Sequence, residues 1–304
     1  MLYDKNETKN TVKIHNKFFL NSNIIYPKSN INIPNSPNFL KVLVFDLDET
    51  IGSFHEAAIL WKIIESELQA DFNTLMDLYP EFLRYGILQI IEVIINKKRI
   101  GKCDKLYLYT NNINSPVFPK LVSEYLKYKL NLENDVFDKI IGAFKINNKI
   151  IEHNRTTHKK TYNDFINCTI LPGNVKICFI DDKYYSKMEH EKIYYIQPPP
   201  HYHNLTNKEI ICRFSNSVFN SDENMNKINS ILNIPHIHYT YEDSMIQCKC
   251  KENKEKKENK ENKENKKIYK KIMYYVKEFF YLTNRNEKTK KIRIQLGKFT
   301  RKKR

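Results

Sequence analysis

Residues 41–50 read KVLVFDLDET, the most informative stretch of the chain for its fold. Residues 42–45 are four consecutive apolar residues, a pattern typical of a strand buried on both faces in the middle of a parallel sheet. Asp46 and Asp48 follow this strand directly. Because open α/β sheets bind their ligands beyond the carboxyl ends of the strands, the acidic pair predicts a functional site there. The alternative is a solvated acidic turn.

Two further strands are predicted to end in polar residues. Residues 106–109 form a strand candidate that is followed by Thr110. Residues 175–182 read VKICFIDD, an apolar strand that ends in Asp181 and Asp182. The second pattern repeats that of the first strand, so the sequence predicts a second acidic pair at a strand end.

Two lysines stand between these strands at the start of a predicted helix. Residues 156–165 read TTHKKTYNDF and contain Lys159 and Lys160, with the helix predicted over 159–167. A lone threonine or lysine in such a place is common, so the significance lies in the order of the four segments. The alternation of predicted strands and helices favours a doubly wound parallel sheet of five strands.

The four segments, in this order, resemble the four motifs of the haloacid dehalogenase (HAD) superfamily. The first motif of that superfamily is an apolar strand followed by D-x-D-x-T, and Asp46, Asp48 and Thr50 fill its fixed positions. The string DLDET is similar to that of the carboxy-terminal-domain phosphatases and their nuclear-LIM-interactor-like relatives. The resemblance implies an α/β fold of the HAD type, a doubly wound (Rossmannoid) parallel sheet with a small helical cap insertion over residues 53–78.

The resemblance also implies a hydrolase of phosphoric monoesters that depends on Mg²⁺. It assigns Asp46 as the nucleophile, which would form an aspartyl-phosphate, and as a metal ligand. It assigns the side chain of Asp48 as general acid and then general base, and its backbone carbonyl as a second metal ligand. Mg²⁺ prefers oxygen ligands and would offset the repulsion between a carboxylate and a phosphate.

The later motifs supply the remaining site residues. By the resemblance, Thr110 donates its hydroxyl to a phosphoryl oxygen, and a lysine pairs with the phosphate and orients the nucleophile. Lys160 is preferred over Lys159 because Tyr162, two residues after Lys160, then fills the apolar position of the relatives' K-x-L pattern. Asp181 and Asp182 would complete the metal site, and which of the two binds directly is left open.

The substrate is expected to be phosphoserine or phosphothreonine in a protein, because of the first motif and the short cap. Two departures from that branch are Gly52, after DLDET, and Thr110-Asn111-Asn112 in place of T-A-S. T-N-N occurs in some HAD phosphatases that act on small molecules and nucleotides. A phosphatase of nucleotides or nucleic-acid ends is therefore the alternative, and a catalytically idle binding protein with the HAD fold is the other.

Length and composition indicate one catalytic domain with appendages. The chain has 304 residues, 41% of them hydrophobic, which is enough for a sizeable core. We predict an N-terminal extension over residues 1–37 and a catalytic domain over 38–245. Residues 246–267 form a Lys/Glu/Asn-rich linker, and residues 268–304 an amphipathic helix with a basic tail.

The positive charge lies mainly near the C-terminus. The chain has a net charge of +16, of which residues 251–267 contribute +3 and residues 285–304 contribute +9. The first of these segments is expected to be a solvated linker or an exposed helix with charge pairs one turn apart. The tail is expected to improve solubility, to act as a nuclear address, or to attract nucleic acid through salt-dependent contacts.

The remaining features predict an intracellular protein, cytoplasmic or nuclear, without a membrane partner. The six cysteines form no C-x-x-C pair, and reduced thiols are the expected state. No apolar segment is long enough to cross a bilayer.

Two H-x-H pairs are present, His201 with His203 and His236 with His238. Because no acids or cysteines of suitable spacing accompany them, they are left out of the predicted site.

Overall fold

The structure is a computed structural model, and it describes residues 26–28, 39–232 and 251–283. The predicted basic tail, His236 and His238 lie outside the described residues, and the predicted catalytic domain is described to residue 232.

A six-stranded sheet forms the centre of the described part of the chain. Five neighbouring strands are parallel in the order β8-β7-β2-β3-β4, and β1 adds to the β8 edge in the antiparallel direction. The strands are β1 Tyr26–Lys28, β2 Leu40–Phe45, β3 Lys105–Tyr109, β4 Lys139–Ile141, β7 Val175–Ile180 and β8 Ile193–Gln197, with a separate hairpin of β5 Lys145–Ile146 and β6 Lys149–Ile150. The predicted α/β fold with a five-stranded parallel sheet is therefore confirmed, as a Rossmann-like arrangement. The edge strand β1, within the predicted extension, was not expected.

Helices cover both faces of this sheet. The α-helices are α1 His55–Ile64, α2 Phe72–Asp77, α3 Ile87–Arg99, α4 Phe118–Lys129, α5 Tyr162–Thr169, α6 Asn207–Ser215, α7 Asp222–Ile231 and α8 Lys251–Thr283. Successive side chains of a strand point to opposite faces, and in β2 Leu43 and Phe45 join one apolar cluster whereas Val42 and Val44 join the other. The second cluster contains Phe165 of α5, and the first contains apolar side chains of the other helices. The uninterrupted apolar run of β2 is thus explained by burial on both faces.

The segment 53–78, predicted as a small cap, contains α1 and α2. Their apolar side chains, among them Leu60 and Leu75, are buried in the same cluster as Phe45 of the central strand. The carboxylate of Asp71 caps α2 by accepting hydrogen bonds from two backbone amides of its first turn. The two helices therefore pack on the core of the sheet itself.

Two predicted boundaries differ from the structure for local reasons. The strand predicted over 139–145 ends at Ile141, and the following hairpin turns through Asn147 and Asn148, which both have positive φ angles. Asparagine tolerates this left-handed conformation, which a two-residue hairpin turn requires. The helix predicted over 159–167 begins at Tyr162, because the side chain of Thr161 accepts a hydrogen bond from the amide of Asp164 and caps it.

Helix α8 is continuous from Lys251 to Thr283, so most of the Lys/Glu/Asn-rich segment is helical. Of the two alternatives for residues 251–267, the structure therefore has the helix. Val276 and Phe279 are fully buried, and the hydroxyl of Tyr194 donates a hydrogen bond to Glu278, so the second half of the helix packs against the sheet. Among the described residues, no helix combines the length and the apolarity that crossing a bilayer would require.

Candidate active site

Three neighbouring parallel strands bring the predicted site residues to one edge of the sheet. Asp46, Thr110 and Asp181 are the first residues after β2, β3 and β7. Each continues the sheet by one hydrogen bond, from its amide to the carbonyl of Ile180, Ile141 or Ile196, at 2.9, 2.9 and 3.1 Å. Their positions are therefore fixed by the backbone of the sheet.

A buried cluster of three carboxylates lies at this edge. One carboxylate oxygen from each of Asp46, Asp181 and Asp182 lies within 4.8 Å of the others. The ammonium group of Lys160 lies between two of them, in contact with Oδ1 of Asp46 and 2.7 Å from Oδ2 of Asp181. The side chain of Lys160 is only 1% exposed, whereas Lys159 is exposed to solvent. Of the two lysines considered from the sequence, Lys160 is the one at the acidic residues.

Further hydrogen bonds orient the other two acids. The hydroxyl of Thr50 donates to Oδ1 of Asp182 at 3.0 Å and accepts from the amide of Asp182 at 2.9 Å. The amide of Lys183 donates to Oδ1 of Asp181 at 2.8 Å. Such partners fix the direction in which a carboxylate presents its oxygens to a ligand. The sequence identified Thr50 only as part of the first motif. In the structure it joins the segment after β2 to the segment after β7.

Arg84 holds the turn that follows Asp48, and no sequence pattern pointed to it. It is buried, and its guanidinium donates to the carbonyls of Thr50 at 2.6 Å and Pro199 at 2.8 Å, and to that of Glu49. Glu49 has a φ of 55°, a left-handed conformation that non-glycine residues seldom adopt. Two hydrogen bonds from one charged group therefore stabilise a strained turn next to the carboxylates, and the third ties this turn to the segment at Pro199.

Packing explains the departure at Gly52. A Cβ atom at this position would lie 2.4 Å from the carbonyl oxygen of Phe82 and 2.6 Å from the ring of Phe54. The amide of Ser53 donates to the same carbonyl at 2.8 Å, so the two chain segments are in close contact. Glycine is required here by the approach of a neighbouring backbone.

Asp48 lies apart from the three-carboxylate cluster and is held by Asn112, which the sequence did not identify. The side-chain amide of Asn112 donates to both carboxylate oxygens of Asp48, at 3.0 and 3.1 Å. The backbone amide of Asn112 donates to the hydroxyl of Thr110 at 2.9 Å. Thr110 is fully buried, and because its oxygen accepts this bond, its own hydroxyl proton remains for an acceptor.

Arg155 connects the threonine segment with the lysine segment. Its guanidinium donates to the carbonyl of Thr110 at 3.0 Å, to Oδ1 of Asn111 at 2.7 Å and to the carbonyl of His158 at 3.1 Å. It also lies 4.9 Å from the ring centre of Tyr109. No sequence pattern marked this residue, because the contacts that define it come from distant parts of the chain.

The crowding of acidic groups changes their proton affinities. Burial and the negative charge of Asp46 raise the pKa of Asp48 to about 7 and that of Asp182 to about 6. The same two causes raise the pKa of Asp181, although Lys160 opposes the change. Burial alone would lower the pKa of Lys160, but Asp181 and Asp46 outweigh it and raise that pKa, so the lysine stays charged.

The three carboxylates fit a bound metal ion. All their ligand atoms are oxygens, and when all three acids are ionised a single ammonium leaves two negative charges in the cluster uncompensated. A hard divalent cation would satisfy both the charge and the donor set. His201 and His203 lie outside this cluster, since their Nε2 atoms bond the carbonyl of Glu81 at 3.1 Å and the carboxylate of Glu56 at 2.9 Å.

No protein-family model matches the chain, and searches of curated proteins and of solved structures found no match either.

We expect Mg²⁺ to stabilise the folded protein, and to do so more strongly as the pH rises from 5 to 7.5. The pKa values of Asp181 and Asp182 are raised in the folded state, so protonated acids oppose metal binding at low pH, and the carboxylate of Asp182 becomes available as the pH passes about 6. At ten times its Kd, Mg²⁺ should add about 1.4 kcal/mol of stability, or a few degrees in Tm.

Thermal unfolding with and without MgCl₂, at constant ionic strength, measures this effect. Asp182→Asn should lose most of the stabilisation, and Asp135→Asn, at an exposed acid, should keep it. An equal response of the two variants would mean that Mg²⁺ acts elsewhere on the protein.

Proposed function

We propose that this protein is a Mg²⁺-dependent phosphatase of the HAD type that acts through an aspartyl-phosphate intermediate. The observation that carries the proposal is the convergence of Asp46 and Asp181 on the ammonium of Lys160. A carboxylate that attacks a phosphate dianion needs positive charge close by, and this lysine supplies it inside a buried site. Asp48 supports the proposal as a second carboxyl, oriented separately by Asn112.

Asp46, Asp181 and Asp182 would hold Mg²⁺, together with the predicted backbone carbonyl of Asp48. The ion would offset the negative charge of the phosphoryl oxygens beside these carboxylates. Lys160 would pair with a phosphoryl oxygen and keep Asp46 directed at the phosphorus atom. Thr110 would donate its hydroxyl to another phosphoryl oxygen.

The reaction then consists of two displacements at phosphorus. In the first, a carboxylate oxygen of Asp46 forms a bond to phosphorus, the bond to the leaving oxygen breaks, and Asp48 gives that oxygen a proton. In the second, Asp48 takes a proton from water, the water oxygen bonds to phosphorus, and Asp46 is released with inorganic phosphate as product. A pKa of about 7 suits Asp48 to both tasks near neutral pH.

Phosphoserine or phosphothreonine in proteins remains the proposed substrate, with nucleotides or nucleic-acid ends as the alternative. The close approach of Phe82 accounts for Gly52, so this departure does not bear on substrate choice. Helices α1 and α2 are short and packed on the core, which supports a small cap and a site accessible to large substrates. The T-N-N string at 110–112 and the basic tail still support nucleotides or nucleic-acid ends as the alternative substrates.

A substrate screen with purified full-length protein and Mg²⁺ tests the function. We expect release of phosphate from 4-nitrophenyl phosphate and from at least one of three classes: phosphopeptides, nucleotides and 3′-phosphorylated oligonucleotides. EDTA should abolish the activity. Hydrolysis of none of these compounds by protein that Mg²⁺ stabilises would favour the idle binding protein.

The compartment and partners stay predictions. Among the described residues, the cysteines at 103, 168, 178 and 212 are free thiols, and the reduced state stays a prediction. An intracellular location, cytoplasmic or nuclear, and contact of the basic tail with nucleic acid remain proposals.

A further inference from the structure

Every polar atom of the Asn112 side chain is engaged. Oδ1 accepts a hydrogen bond from the amide of Asn114 at 3.1 Å, and Nδ2 donates to the two oxygens of Asp48 at 3.0 and 3.1 Å. The residue is 6% exposed, and its backbone amide is bound to the hydroxyl of Thr110. Because the amide of Asn114 can only donate, it fixes which end of the Asn112 side chain faces Asp48.

This orientation restricts where a proton on Asp48 can point. Nδ2 of an asparagine carries two hydrogens and cannot accept a hydrogen bond. When Asp48 is protonated, its O–H group must therefore be directed away from Asn112. A leaving oxygen would therefore take the proton on a side of Asp48 that Asn112 does not occupy.

We propose that Asn112 is a positioning residue for Asp48, which it holds so that the acidic proton is presented to the leaving oxygen. The inference rests on the proposed function and assigns a role to the T-N-N string, which that function left unexplained. Among the described residues, the side chain of Asn112 makes no hydrogen bond to the three carboxylates of the cluster, and Asp48 is the proposed catalytic side chain that it contacts. Truncation of this side chain, which leaves the backbone bond to Thr110 in place, should therefore act on the proton-transfer part of the reaction.

The neighbouring Asn111 provides a contrast. Its Oδ1 accepts from Arg155 at 2.7 Å, and its Nδ2 donates to the hydroxyl of Tyr185 at 3.3 Å. Neither of these hydrogen bonds involves Asp48. The two adjacent asparagines thus have different partners, and Asn111→Ala is a matched control for Asn112→Ala.

The experiment compares two aryl phosphates of similar size, 4-nitrophenyl phosphate and phenyl phosphate. The 4-nitrophenolate leaves readily without a proton, whereas phenolate depends on an acid. For Asn112→Ala we expect kcat/KM to fall by about 100-fold with phenyl phosphate and by less than about 5-fold with 4-nitrophenyl phosphate. Asn111→Ala should reduce both values by the same factor. Because kcat/KM reports the first irreversible step, hydrolysis of the intermediate does not affect the comparison.

A double-mutant cycle shows whether Asn112 acts through Asp48. In the Asp48→Asn background, Asn112→Ala should cause no further loss with phenyl phosphate. Retained stabilisation by Mg²⁺ in Asn112→Ala would show that the variant is folded. Equal losses with both substrates, no loss with either, or additive losses in the cycle would each overturn the positioning role. If the wild type hydrolysed neither substrate, the proposed function would fail and the inference with it, an outcome distinct from the other three.

Discussion

Replacement of Asp46 by asparagine is expected to lower Mg²⁺-dependent hydrolysis of 4-nitrophenyl phosphate by a factor on the order of 10⁴. The amide has nearly the same shape as the carboxylate but lacks the anionic oxygen that would bond to phosphorus. Asp46 is only 6% exposed and the amide would fill the same space, so the rest of the site should keep its arrangement. Initial rates at saturating Mg²⁺ measure the loss.

The fold of this variant should remain intact, which separates lost chemistry from lost structure. Asp46 is one of three crowded carboxylates, and removal of its charge relieves repulsion with Asp181 and Asp182. Lys160 keeps its ion pair with Asp181. The Tm without metal should thus stay the same or rise. If Asp46→Asn retained full activity, the aspartyl-phosphate mechanism would be wrong.

The wild type should also form a covalent intermediate that the variant cannot form. Rapid mixing with 4-nitrophenyl phosphate should give a burst of nitrophenolate when hydrolysis of the intermediate is slower than its formation. Mass spectrometry of acid-quenched protein should then find the added phosphate on the peptide that contains Asp46. The exposed acid Asp135, changed to asparagine, is the matched control and should leave both signals unchanged.

The parts of the fold that the sequence predicted are those with strong local patterns. The apolar runs of β2 and β7 predicted buried parallel strands because both faces of each strand are covered. Because the two strands are parallel neighbours, the acids that follow them meet at the same edge of the sheet. Strand β1 escaped prediction because its three residues have no such pattern, and it depends on the edge of β8 for hydrogen bonds.

The contacts between distant segments could not be predicted from the sequence. Arg84, Asn112 and Arg155 each bind atoms that lie 34 or more residues away in the chain. Nothing in the local sequence of the two arginines indicates a role, since an arginine that will be buried cannot be told from a surface arginine before the fold is known. Asn112 had one signal, the change from T-A-S to T-N-N, and that signal pointed to substrate choice instead of to Asp48.

Replacement of Lys160 by methionine should have the largest effect on stability. The apolar stem would still fill the buried space, but Asp46 and Asp181 would lose the ammonium between them. Removal of one partner from a buried ion pair costs about 3 to 5 kcal/mol, which lowers Tm by roughly 10 °C in a protein of this size. Hydrolysis of 4-nitrophenyl phosphate should also fall by about 100-fold or more, because the phosphate loses a fixed positive charge.

The pH and metal dependence of this loss identify its cause. Without Lys160 the two carboxylates should have still higher pKa values, and a raised carboxyl pKa in the folded state favours folding at low pH and opposes it as the pH rises. The deficit should therefore be small near pH 5 and large near pH 8. Mg²⁺ should restore more stability to Lys160→Met than it adds to the wild type, while activity stays low. The exposed Lys159→Met is the matched control. A Lys160→Met protein as stable as the wild type at pH 8 without metal would show that this lysine does not neutralise the acidic cluster.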